Sequence, residues 1–194
     1  MMSANLKASL SHSDILGIAK DFIPKDLARS YPTQPLNAHI SVNGNIDSIN
    51  IDTLHLLIPK SIDARANGYI ANAMAIESMR SDLCVDVSTM NLNFVSRYLG
   101  LSGVNIPSMN LSAQTQIEGA TYKADALIRR GKGTVRAKAY LDMDNMAYQA
   151  KLLANEINIA DFLPNDSIGL LTFSAPAEGN AKEPLSKATS KKGE

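Results

Sequence analysis

The chain has 194 residues, 45% of them hydrophobic, and its 19 basic and 19 acidic side chains leave a formal net charge of zero. That balance argues against a nucleic-acid platform, which needs a basic face. Tryptophan is absent and aromatic residues make up only 5%, so a thin, open structure is expected rather than a thick core. A single cysteine, Cys84, excludes an internal disulfide, and its flanks Leu83-Cys84-Val85-Asp86-Val87 read as a strand carrying an unreactive thiol. No hydrophobic run reaches the roughly 18 residues of a membrane-spanning helix. No basic segment leads into an apolar stretch as in a signal peptide.

In chain order, Leu6, Ala8 and Leu10 alternate with polar residues, the period of a strand. So abrupt a start is expected of a piece of a longer protein. Ser13 is placed to cap a short helix carrying Ile15, Leu16, Ala19, Phe22 and Ile23, ended by Pro24. Lys25 to Thr33 reads as a charged connector, and strands follow from Pro35 onward. Ala38, Ile40 and Val42 share one face, and Asn43-Gly44-Asn45 is a hairpin signal. Ile49 and Ile51 then lie on one parity while Leu54, Leu56 and Ile58 lie on the other. A switch of this kind predicts a β-bulge near Asp52 and Thr53.

Pro59-Lys60-Ser61 turns the chain into a strand of Ile62, Ala64 and Ala66. Residues 72–81 fit either an extended hairpin or a helical turn. Leu83, Val85 and Val87 form the next strand, and Asn91 or Asn93 caps a helix carrying Leu92, Phe94, Val95, Tyr98 and Leu99. Strands resume at Leu111, Ala113, Thr115 and Ile117, and continue with Tyr122, Ala124, Ala126 and Ile128. The cluster Arg129-Arg130-Gly131-Lys132-Gly133 reads chiefly as decoration of a hairpin turn, with a phosphate or headgroup contact as the minor alternative. Val135, Ala137, Ala139 and Leu141 follow, then Tyr148, Ala150, Leu152 and Ala154. A half-turn from Ile159 to Pro164 precedes the strand of Leu171, Phe173 and Ala175. Residues 181–194, rich in Lys and Ser, read as a disordered tail.

The chain also repeats itself, with a period of about 70 residues. Leu10-Ser-His-Ser-Asp-Ile-Leu-Gly-Ile-Ala19 returns as Val87-Ser-Thr-Met-Asn-Leu-Asn-Phe-Val-Ser96, and in shorter form as Asn155-Glu-Ile-Asn-Ile-Ala-Asp-Phe-Leu163. Ser11 to Ser88 is 77 residues, Gly44 to Gly119 is 75, and Tyr69 to Tyr140 is 71. The units run over 4–72, 81–143 and 146–180. Each comprises a strand, a short amphipathic helix and strands joined by tight turns, with one strand face apolar and the other polar.

The expected fold is therefore mainly β: a curved antiparallel sheet of repeats, forming an open taco-like groove, with two or three short amphipathic helices. The compact alternative is a sandwich of two sheets. Candidate groove residues are Ile40, Val42, Leu54, Leu56, Leu111, Ala113, Ile117, Ala124, Ala126, Ile128, Val135, Ala137, Leu141, Leu152 and Phe173. An enzyme is the poorest fit, and neither metal nor cofactor is expected. His12, His39 and His55 are scattered without an acidic or Cys partner at ligand spacing, and Glu118, Asp142 and Asp144 match no calcium loop.

Several segments resemble the AsmA-like/TamB family of envelope proteins, in its Bacteroidota-type form. The carriers are Asn91-Leu-Asn-Phe-Val-Ser-Arg-Tyr-Leu99, Ile106-Pro-Ser-Met-Asn-Leu-Ser-Ala-Gln-Thr-Gln-Ile-Glu-Gly119, Arg130-Gly-Lys-Gly-Thr-Val-Arg-Ala-Lys-Ala139 and Asn158-Ile-Ala-Asp-Phe-Leu-Pro-Asn-Asp-Ser167. The resemblance covers residues 4 to about 180. It implies a long taco-shaped sheet in the periplasm, anchored in the inner membrane and reaching the outer one. The implied roles are moving phospholipid, with acyl chains in the groove, and helping outer-membrane proteins assemble. A BamA-like barrel is the implied partner of the full-length protein, whose N-terminal anchor and C-terminal module this sequence lacks. Two alternatives stand beside the conduit: a scaffold that templates client strands, and a closed β-domain with a structural role.

Overall fold

A computed structural model describes residues 2–18, 33–90, 92, 96, 100, 103–163 and 169–180. Ten strands form one sheet in sequence order, each antiparallel to the next. They are β1 (Met2–Leu10), β2 (Leu36–Gly44), β3 (Ser48–Ile58), β4 (Ile62–Ala71) and β5 (Arg80–Thr89), followed by β6 (Met109–Glu118), β7 (Thr121–Arg130), β8 (Gly133–Asp142), β9 (Ala147–Asn158) and β10 (Leu170–Asn180). One short helix, α1 (His12–Ile18), and two 3₁₀ turns, Ile76–Ser78 and Ile159–Asp161, complete the described elements. The sheet is open, because β1 pairs only with β2 and β10 only with β9. The mainly-β expectation holds, and the two-sheet sandwich is not what the chain adopts.

Local chemistry explains the elements. The Asn45 side chain accepts hydrogen bonds from the backbone N–H groups of Asp47 (2.9 Å) and Ser48 (2.8 Å), turning β2 into β3. The turn thus lies one residue beyond the sequence-based position, with Gly44 still in β2. Asp142 does the same between β8 and β9, accepting from the N–H groups of Asp144 and Asn145. The register of β3 slips against both neighbours between Ile51 and Leu54, which is the bulge predicted from the parity switch. A second slip, unmarked in the sequence, lies between Leu171 and Phe173 opposite Glu156, whose φ is 51°.

The cap of α1 is Ser11, not Ser13. Ser11 Oγ accepts from the Asp14 N–H (3.2 Å), and the Asp14 carboxylate accepts from the Ser11 N–H (2.9 Å), a reciprocal cap that Ser13 is one turn position too late to make. Those bonds hold the Asp14 carboxyl below its usual range. The ambiguous stretch after β4 resolves as a turn and the Ile76–Ser78 helical turn. Of the helix expected around Asn91–Leu99, Leu92 and Ser96 are described, and Ser96 is helical and buried. Ala19, Phe22, Ile23 and Pro24, residues 25–32 of the connector, the cap candidates Asn91 and Asn93, Phe94, Val95, Tyr98 and Leu99, Pro164, and the tail at 181–194 lie outside the described residues.

Strand alternation fixes the ends of the sheet. The connections after β1, β5 and β9 carry α1, the helical Ser96 and the Ile159–Asp161 turn, and all three leave from the same end; the Ile76–Ser78 turn lies at the other end. They recur every fourth strand, and the three sequence echoes fall on them. Tyr69 and Tyr140 hold the same place in β4 and β8, the eighth residue of each.

Candidate functional site: a continuous apolar face

Cross-strand register places side chains in rows that run across the sheet, because directly opposed residues share a face. One row is Ala8, Ala38, Leu56, Ala64, Val87, Leu111, Ile128, Val135, Ala154 and Phe173. The next is Leu6, Ile40, Leu54, Ala66, Val85, Ala113, Ala126, Ala137, Leu152 and Ala175. Neither row contains a polar residue. In the third, Val42 and Ala124 belong to a run broken only by Thr115, and in the fourth Ile117 and Leu141 flank Tyr122. Every candidate groove residue therefore stands on one face. The bulge in β3 is what makes this possible: without it, either Ile51 or Leu54 would point to the polar side.

The candidate set missed β1, β4 and β5, which contribute Leu6, Ala66 and Val85 to the same rows. Their alternation was visible in the sequence, and the pairing order was not. No second sheet among the described residues covers the face; α1 touches β1, and the Ile159–Asp161 turn meets Arg130 at the end bearing the helical connections. Most of the candidates are half-buried, and Ala137, Leu141 and Phe173 are exposed. Ile15, Ile58 and Ala154 are the only buried hydrophobic side chains among the described residues.

The other face is a lattice of paired carboxylates. Asp82 accepts from Gln114 (3.0 Å) and Gln116 (3.1 Å), Asp86 from Ser112 (2.7 Å), and Asp52 from Asn43 (2.7 Å). Asp125 takes a two-pronged contact from Arg136 (3.0 and 2.7 Å) and meets Lys138 at 3.3 Å. The Arg136 hydrogen bonds hold the Asp125 carboxyl below its usual range and raise the guanidinium in turn. His55 does have an acidic partner, Asp63, at 2.9 Å, which Arg65 also contacts. The acid lies eight residues along the next strand, a spacing that carries no metal signature. Among the described residues no group of three or more His, Cys, Asp or Glu could hold a metal. Cys84 is exposed on this face. Leu57, Leu127 and Leu153 also stand here, so the polar face is less uniform than the pattern implied.

Two concavities differ in chemistry. A cleft of about 580 Å³ on the polar side is lined by residues including Gln114, Gln116, Lys123, Tyr140, Lys151 and Glu178. On the apolar side, Met2, Ala4, Val42, Ile46 and Ile49 help line a hollow of about 400 Å³ beside the β1 edge. At the end bearing the helical connections, Arg130 is tied down. Its Nε donates to Asp161 (2.6 Å) and its guanidinium to the Ser108 carbonyl (2.8 Å). Asn105 completes the clamp, donating to the Asp161 and Phe162 carbonyls. The Arg-Gly-Lys-Gly turn therefore joins two connections four strands apart. Comparison with protein-family models, curated proteins and solved structures returns no match. No helix among the described residues is long and apolar enough to cross a membrane, which leaves strands out of account.

Proposed function

We propose that this chain is a non-enzymatic segment of a cell-envelope bridge whose apolar β-face carries phospholipid acyl chains between the inner and outer membranes. The observation that carries this reading is the continuity of the apolar rows across all ten strands, with no second sheet among the described residues over them. Nine strand spacings of about 4.8 Å and strands of about 30 Å give a face of roughly 1,300 Å² in projection. Monomeric soluble proteins rarely leave more than a few hundred Å² of contiguous apolar surface open. An acyl chain lying on it leaves water at about 0.8 kcal/mol per buried CH₂. The alanines Ala113, Ala126 and Ala137 leave height for that chain where larger side chains would fill it. In the bridge reading the segment works in the periplasm, and a longer parent supplies the anchor and the contact with an outer-membrane barrel.

The test is a charge on the face. Ile117→Asp or Val135→Asp puts a carboxylate where acyl chains would lie, against an unfavourable desolvation of several kcal/mol under lipid. The expected result is a variant that melts close to wild type but has lost the phospholipid that mass spectrometry finds in extracts of the purified wild type. A wild type that carries no lipid, with a variant that does not fold, defeats the proposal. A second reading, a scaffold that templates client strands, draws on the unpaired β1 and β10 edges. Continuous apolar rows favour the conduit.

A further inference from the structure

The sheet end opposite the helical connections carries the turns between β2 and β3, β4 and β5, β6 and β7, and β8 and β9. Three of the four tips carry large apolar side chains, as turns seldom do, and the fourth is Gly119-Ala120. Ile46 is 83% exposed, Met74 90%, Ile76 67% and Met143 47%. Between them stand exposed Asp47, Glu77 and Asp144, and no Lys, Arg or His occurs in residues 45–47, 72–79, 119–120 or 143–146. The nearest bases, Arg80 and Lys123, lie within β5 and β7, and Arg80 faces Glu118 across the ladder. The 72–79 loop leans along this rim, with the Gly119 N–H donating to the Met79 carbonyl (2.8 Å), so neighbouring tips form one line.

We infer that this acidic, Met- and Ile-tipped rim docks a basic amphipathic helix of a partner protein. Methionine side chains adapt to irregular apolar partners, and the surrounding carboxylates select lysine and arginine. Length agrees as well. Successive turns are two strands, about 9.6 Å, apart, so the line from Ile46 to Met143 runs about 29 Å, the length of a helix of roughly 20 residues. An anionic membrane surface fits poorly, because the carboxylates would face like charge. The inference does not depend on lipid occupying the sheet face.

The probe is a fluorescent 20-residue peptide of Leu and Lys with Leu at i, i+3, i+4 and i+7, read by anisotropy. Saturable binding to wild type is expected, weakening about tenfold or more in Ile46→Ser/Met74→Ser/Ile76→Ser/Met143→Ser. Asp47→Asn/Glu77→Gln should weaken it less, with the difference shrinking as salt rises. Ser88→Ala, on the polar face at the opposite end of β5, should leave binding unchanged. Circular dichroism of the serine variant confirms its fold, since every changed side chain is exposed. Absent binding, equal binding by the serine variant, or loss in Ser88→Ala alone overturns the inference. So does rim-dependent binding to phosphatidylglycerol vesicles or rim-dependent self-association in place of peptide binding.

Discussion

At the residue scale, the polar face shows how a thin sheet holds its register without a core. Asp125 on β7 takes Arg136 and Lys138 from β8, so one carboxylate fastens two positions of the neighbouring strand. Because Arg136 depresses the Asp125 pKa, the stabilisation is present above the ordinary carboxylate range and is lost as pH falls through the lowered value. Asp125→Asn should therefore melt below wild type at pH 7, and thermal scans should show that gap closing as pH falls below the ordinary carboxylate range. High salt should narrow it too, since the pair is exposed. A gap that persists once acid has protonated the carboxylate would point to packing rather than charge. Such pairs were not legible in the sequence. Asp125 and Arg136 lie 11 residues apart on a hairpin whose register depends on the Gly131-Lys132 turn, and alternation alone does not reveal which residues become opposite.

At the scale of elements, what the sequence shows well is what repeats locally. The bulge in β3 was readable because Ile51 and Leu54 disagree in parity. The second bulge was not, because Leu171 and Phe173 keep parity with each other and the slip is absorbed at Glu156 on β9. The Arg130 clamp was equally hidden: its partner is 31 residues away, and a Gly-flanked basic cluster looks like a solvated turn. Both side chains of the pair are half-buried, so it should matter more than a surface contact. Arg130→Met should cost about 1–2 kcal/mol, with Asp161→Asn costing less in the Arg130→Met background than alone. Chemical denaturation of the two single variants and the double variant measures that coupling, and strict additivity would mean the clamp contributes nothing.

At the scale of the whole molecule, the candidate face was legible as a set of residues, and its continuity was not. Alternating positions say that strands have a dry side; only the unbroken strand order puts those sides next to one another. The rim escaped notice for the opposite reason. Ile46, Met74 and Met143 are scattered along the sequence, and they form a line only once the strands are stacked. The return of the helical connection after every fourth strand has a consequence for growth. Four strands restore the direction of travel, the face and the end from which the chain leaves, so residues 36–108 behave as an interchangeable tile. A second copy of that stretch, spliced in before Met109, would bring Leu36, Ala38 and Ile40 beside Thr89, Val87 and Val85, as Met109, Leu111 and Ala113 stand now. The lengthened protein should fold, and small-angle scattering should find it about 19 Å longer with an unchanged cross-section. Aggregation or a thickened particle would show that the tile does not repeat. If it does, reach is set by copy number alone, and a lineage can adjust the span of such a molecule by duplication without redesigning a single contact.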